Sequence, residues 1–250
     1  FIPLIGAYVA QDLLDWQFQV LIWVNIGAAA MALMLISRLV EPLRTRSVLK
    51  AEIGVFKESL QTIRFHPWLL KATANKFLVF MAVFMTWRIY QPLLVDTGMS
   101  VLWLGVFDVI GYLILFTLRW HTGAITERLG IARYITLTAV VAVLCLVLSL
   151  LTGNVWLDFA LLVIVIGVGS GREPAFAEAM NHRIQSHSRA TTLSNLNVLK
   201  SVMDIPVYLL AGWLAMQGYD SVLALAIVMC ALALLLFPIR ERELHAQPTS

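Results

Sequence analysis

Arg88, Asp108, Arg172, Glu173, Lys200 and Asp204 are charged side chains set inside long apolar stretches. A charge at the centre of a bilayer costs at least about 2.5–3.5 kcal/mol, so such residues face a bundle interior or a water-filled path and pair with one another. Carboxylates held in this way can carry protons, and basic residues can hold anions or latch helices together. Depth suggests the partners. At about 1.5 Å per residue, Arg88 lies roughly 12 Å below Asp96, and Asp108 roughly 12 Å below Ser100 on the next, antiparallel run. An Arg88–Asp108 pair or shared water network is expected. Arg172 and Glu173 lie roughly 27 Å below Asn154, and Lys200 roughly 24 Å below Met216, which makes Glu173–Lys200 a second expected pair. Lys200 and Asp204 are four residues apart on one helix face, so Asp204 competes for the same lysine. The bland alternative is that these pairs only lock helices in register. Glu178 reads as a solvated helix end.

Other chemistries find little support. All five histidines (His66, His121, His182, His187, His245) fall in basic connecting regions, away from Ser170 among its glycines, so a Ser–His pair within the membrane is not expected. There is no HExxH, and Gly167-Val168-Gly169-Ser170-Gly171 lacks the Lys-Ser/Thr ending of a phosphate loop. Cys145 and Cys230 sit in apolar runs without CxxC spacing. No enzyme, metal or cofactor is expected.

The elements that must position the charges follow from composition. Hydrophobic residues make up 60% of the 250 positions and charged residues 13%, against about 45–50% and about 25% in soluble domains. The surplus calls for lipid. A span needs about 20 mostly apolar residues. Phe18–Leu39, Trp68–Val95, Val101–Trp120, Tyr134–Leu151, Val155–Ala177, Thr191–Met216 and Val222–Pro238 qualify, and Phe1–Ala10 is a partial one. The predicted fold is an all-α polytopic transmembrane bundle, since strands of a barrel would alternate polar and apolar residues.

The connections alternate in charge. Those at Asp12–Asp15, Asp96–Ser100, Thr152–Asn154 and Gln217–Asp220 hold no Lys or Arg, whereas Glu41–Lys71, His121–Arg133, Asn181–Arg189 and Arg240–Glu243 hold 12 of the 18. The positive-inside rule makes the second set cytoplasmic, and with it the C-terminus of a multi-pass protein of the cell (plasma or inner) membrane. Spread over several loops, these basic residues are topology signals and not a nucleic-acid stripe, despite the net charge of +3. Ser47–Phe65 has roughly helical apolar spacing and reads as an amphipathic helix in the inner interface.

Several segments resemble the major facilitator superfamily. Gly123, Glu127, Arg128, Gly130 and Arg133, within His121–Arg133, are similar to its cytoplasmic loop motif, with Glu127 where Asp is usual and one basic residue missing. Tyr90-Gln91-Pro92-Leu93-Leu94 resembles the outer end of its seventh helix, and Tyr90 and Gln91 join the path candidates. Pro174, Asn181-His182-Arg183-Ile184 and Arg189-Ala190-Thr191 resemble the passage from its tenth helix to its eleventh. Gly6, Trp16, Phe18 and Glu41-Pro42 resemble the end of the fifth helix, the sixth helix and the start of the central loop.

The resemblance implies residues 1–40 as the end of helix 5 and helix 6, 41–71 as the cytoplasmic central loop, 72–240 as the C-terminal six-helix bundle, and 241–250 as a cytoplasmic tail. The N-terminal half, with the other wall of a midplane site, would then lie outside this sequence. On that scheme the membrane charges fall on the seventh, eighth, tenth and eleventh helices, which line the path. Gly167, Gly169, Gly171, Pro174 and Pro206 would let the tenth and eleventh helices flex, or would simply permit tight packing. The implied activity is alternating-access transport of a small solute, coupled to H+ through Asp108, Glu173 or Asp204. The aromatics Phe84, Trp87, Tyr90, Trp103, Phe107 and Tyr112 lean toward efflux of amphiphilic compounds. Uptake by symport and a non-transporting scaffold or sensor are the alternatives.

Overall fold

The computed structural model describes residues 2–10, 12, 14–38, 57, 59, 61, 63–181, 184 and 189–245. Most of the expected interface helix, and tail residues 246–250, lie outside the described residues. The described chain is helical: α1 (Ile2–Val9), α2 (Asp15–Ile36), α3 (Pro67–Asp96), α4 (Val101–Leu129), α5 (Ile131–Leu151), α6 (Val155–Gly171), α7 (Glu173–Asn181), α8 (Arg189–Ala215), α9 (Tyr219–Leu235) and α10 (Glu241–His245). Six helices are long and apolar enough to cross a membrane, with α6 and α7 taken as one run of 27 residues. The protein is a multi-pass membrane bundle.

Local chemistry sets the ends. Pro67 opens α3, where its missing N–H is not needed. Thr97 closes α3, its hydroxyl donating to the carbonyls of Leu93 and Leu94 (3.0 Å each), and Gly98 at φ 94° turns the chain. The Asn154 side chain accepts from the N–H groups of Trp156 and Leu157 and so caps α6. Pro174 has no N–H to give to the carbonyl of Ser170, and the helix breaks at Arg172 between α6 and α7.

One connection differs from expectation. Residues His121–Leu129 are not a loop but the last turns of α4, and α5 starts at Ile131. Nothing in that stretch breaks a helix, and the hydroxyls of Thr122 and Thr126 fold back onto carbonyls one turn earlier. Gly130, at φ 86°, alone makes the corner.

The core centres on α3. Val79, Met81, Ala82 and Leu94 are fully buried and join Ala139, Ala142 and Leu146 of α5, Leu162 and Val165 of α6, and Leu223, Ala226 and Cys230 of α9 in one apolar cluster. A second cluster near the Glu173 end gathers Leu69, Ala72, Ile135, Ala175, Phe176 and Leu196. The α6 glycines permit the close approach. A Cβ at Gly167 would stand 2.6 Å from Ile114 Cγ2, one at Gly171 would stand 2.9 Å from Leu118 Cδ1, and one at Gly169 would collide with Val83. Helix α6 is thus wedged against α3 and α4. By contrast α2 lies outside the core, with Trp23, Leu33 and Met34 exposed.

Candidate functional site

The bundle separates the charged candidates into three groups. In the first, Asp108 of α4 accepts a hydrogen bond from the Tyr90 hydroxyl of α3 (2.8 Å), and that hydroxyl accepts one from the Gln91 amide (2.9 Å). The Trp87 side chain shares the cavity wall with the carboxylate. Tyr90 is buried and stacks on Phe107, ring centres 4.1 Å apart and planes within 8°. No lysine or arginine reaches Asp108 among the described residues.

Asp108 borders two cavities. One, of about 270 Å³, is walled by Phe80, Phe84, Trp87, Phe107 and Tyr112, with Ser170 of α6 at its side. The other, of about 490 Å³, lies at the Asp96 end between α1 and the ends of α3 and α4, and includes Gln91 and Asp96.

The expected Arg88–Asp108 pair is absent. Arg88 instead places its guanidinium 4.8 Å from the centre of the Phe84 ring and lines a third cavity, of about 520 Å³, with Tyr208 of α8 and Tyr219 of α9. The two residues stand at similar depth on neighbouring helices. However, Trp87 and Tyr90 are the α3 residues that turn toward α4, and Arg88, about 100° per residue around the axis from either neighbour, points to α8 and α9. Depth fixes height and leaves azimuth open.

The second group is Lys200 and Asp204 of α8, paired at 3.0 Å one turn apart. Lys200 Nζ also sits 3.9 Å from the centre of the Phe80 ring. The expected Glu173–Lys200 pair does not form. Glu173 is held by Lys76 of α3 at 2.6 Å. Lys76 is a charge that sequence reasoning missed, although it stands visibly in the apolar run of α3.

The third group surrounds Arg172, 3% exposed. Its guanidinium donates to Asn75 Oδ1 (2.6 Å), and Asn75 Nδ2 donates to the carbonyls of Ala233 and Phe237 (3.0 and 2.8 Å). The guanidinium also lies 4.8 Å from the centre of the Phe176 ring. Asn75 therefore ties the α6–α7 break to α3 and to the end of α9. Like Lys76, it was missed. So was Asp158, buried at the start of α6, which accepts from the Ser149 hydroxyl at 2.6 Å.

Of the remaining candidates, Glu178 is exposed, as are Gly123, Glu127, Arg128 and Arg133. What holds the Gly130 corner is Glu241 of α10, whose carboxylate accepts from the Ala132 N–H at 2.9 Å. Next to it, Glu243 pairs with Lys71 of α3 at 2.7 Å. Pro174 sits in the first turn of α7 and Pro206 inside α8. No cluster of three or more metal-ligating residues exists among the described residues.

Residues 1–205 match the family model described as Major Facilitator Superfamily. No curated protein and no solved structure matches.

Proposed function

The chain belongs to the Major Facilitator Superfamily, and from that premise we propose that it is part of a proton-coupled exporter of amphiphilic solutes in which Asp108 carries the proton. That it is a membrane transporter of this superfamily's kind rests on the family and the helix bundle. The coupling, the direction and the solute class are our reading. In the same reading α1 and α2 are the end of helix 5 and helix 6, α3 to α9 form the C-terminal bundle, and a further six-helix half supplies the other wall of the path. The basic ends of the helices face the cytoplasm of a cell.

One observation supports the choice of Asp108. Of the three carboxylates considered, Glu173 is held by Lys76 and Asp204 by Lys200. Asp108 has only neutral partners and borders cavities on two sides. A lysine beside a carboxylate favours its charged form, whereas a carboxylate held by a phenol beside a cavity has no such counter-charge. A scaffold that seals its charges in dry pairs has no use for such an arrangement. Protonation of Asp108 would remove the one negative charge beside the aromatic cavity and weaken its hold on a solute. A solute and a proton would then exclude one another at the same site, which is a requirement for exchange.

The test is flux driven by a pH gradient in proteoliposomes holding the intact protein. Asp108→Asn is expected to abolish the response to the gradient, while Glu173→Gln and Asp204→Asn retain it. An unchanged response in Asp108→Asn would sink the proposal.

A further inference from the structure

We infer that the cavity beside Asp108 selects an apolar solute carrying a single positive charge. The inference rests on the transporter reading of this site, and it names what the site holds.

The lining carries the argument. Phe80, Phe84, Trp87, Phe107 and Tyr112 surround the cavity, and among the described residues Asp108 is the only charged one in its walls. Aromatic faces attract cations through their quadrupoles, and a neighbouring carboxylate adds a charge-assisted bond. An anion gains from neither. Two of these rings already engage cations of the chain itself, with Lys200 Nζ 3.9 Å from the Phe80 centre and Arg88 Cζ 4.8 Å from the Phe84 centre. Neither Arg88 nor Lys200 lines the cavity itself. Lys200 is neutralised by its ion pair with Asp204, which leaves Arg88 as the uncompensated positive charge beside the Phe84 ring. The site thus offers one negative charge at Asp108 and a positive boundary beyond the aromatic wall. A cation near Asp108 is matched, and a second positive charge on the same solute meets repulsion from Arg88.

Proton and cation compete for the same carboxylate. The groups around Asp108 leave it alone in that role. From α3 come Tyr90 and Trp87, and from α4 Tyr112. Asp96 stands at the mouth of the second cavity, while α1 contributes Pro3, Gly6, Ala7 and Ala10, and α6 contributes Ile166 and Ser170, none of which titrates.

The experiment is equilibrium dialysis of the intact, purified protein with four probes. They are benzyltrimethylammonium, its uncharged carbon isostere neopentylbenzene, the anion phenylmethanesulfonate, and the dication p-xylylene-bis(trimethylammonium). The monocation is expected to bind at least about tenfold more tightly than the isostere, with the sulfonate weaker still. The dication is expected about tenfold below the monocation, a gap that Arg88→Gln narrows. Asp108→Asn is expected to erase the preference of cation over isostere, and Asp108→Glu to restore it. Should Asp108→Asn fail to fold, the ratio of cation to isostere in the unaltered protein still decides. Equal or tighter binding of the isostere or the sulfonate overturns the inference, as does a dication that binds as well as the monocation. If the cation preference holds and no proton-driven flux is found, the coupling proposal alone falls.

Discussion

Asp108 and Arg172 are both charges placed where a membrane bundle tolerates few, and their surroundings are opposites. Arg172 is closed in: 3% exposed, bonded to Asn75, covered by the Phe176 ring, and fixed to the carbonyls of Ala233 and Phe237 through that asparagine. Asp108 is left open, held by one phenol and bordered by cavities. The contrast separates two uses of a buried charge. A sealed charge fixes how helices meet and changes little during the work of the protein. A charge with neutral partners and room beside it is free to change its protonation or its ligand. Position within the membrane does not distinguish these uses; burial and the space beside the charge do.

The comparison can be broken in a definite order. The largest effect is expected for proton-driven flux in Asp108→Asn, which should fall by at least about tenfold, the scale of losing one general acid–base group, with thermal stability in detergent within about 1 kcal/mol of the parent. Next comes Asn75→Ala. Removing the hydrogen-bond partner of a buried group costs about 1–3 kcal/mol, and more when that group is charged, so the melting temperature should drop sharply. Adding Arg172→Met to that variant should recover more than half of the loss, because the stranded guanidinium is gone. If Asn75→Ala is neutral, the sealed reading of Arg172 fails.

A smaller loss of about 1–3 kcal/mol is expected for Gly169→Ala, whose new methyl meets Val83 in a packed interface. Gly123→Ala, with open space around it, should be nearly silent in the same melting assay. The smallest effect belongs to Glu173→Gln. The Glu173 side chain is 47% exposed, and an ion pair so placed contributes under about 1 kcal/mol. A large loss there would mean that the Glu173 end is as sealed as Arg172.

The helices were legible because their cause is local. Apolar runs such as Tyr134–Leu151 and turn residues such as Gly98 and Asn154 act within a few positions, so α5 begins and ends, and α6 begins, close to where composition puts them, while the break at Arg172 falls inside the expected Val155–Ala177 span. The His121–Leu129 stretch misled because polar residues suggest a loop, while only Gly130 actually interrupts the backbone. Within the site, Lys200–Asp204 was readable since both lie on one helix face. Arg88 with Asp108, and Glu173 with Lys200, were not, since a pair between helices depends on rotation about each axis. Sequence depth carries no record of that rotation. Lys76 and Asn75 were overlooked for a related reason. Their importance comes from α6, α7 and α9, which reach them only in the assembled bundle.

The central claim is that one carboxylate serves both proton and solute. It is tested most directly by counting protons released when benzyltrimethylammonium saturates the intact protein in weakly buffered detergent solution, between about pH 4 and pH 9, a range that brackets perturbed carboxylates. The account expects a release that passes through a maximum within that range in the unaltered protein and vanishes in Asp108→Asn. Release that persists in Asp108→Asn, or no release at any pH from the unaltered protein, would contradict it.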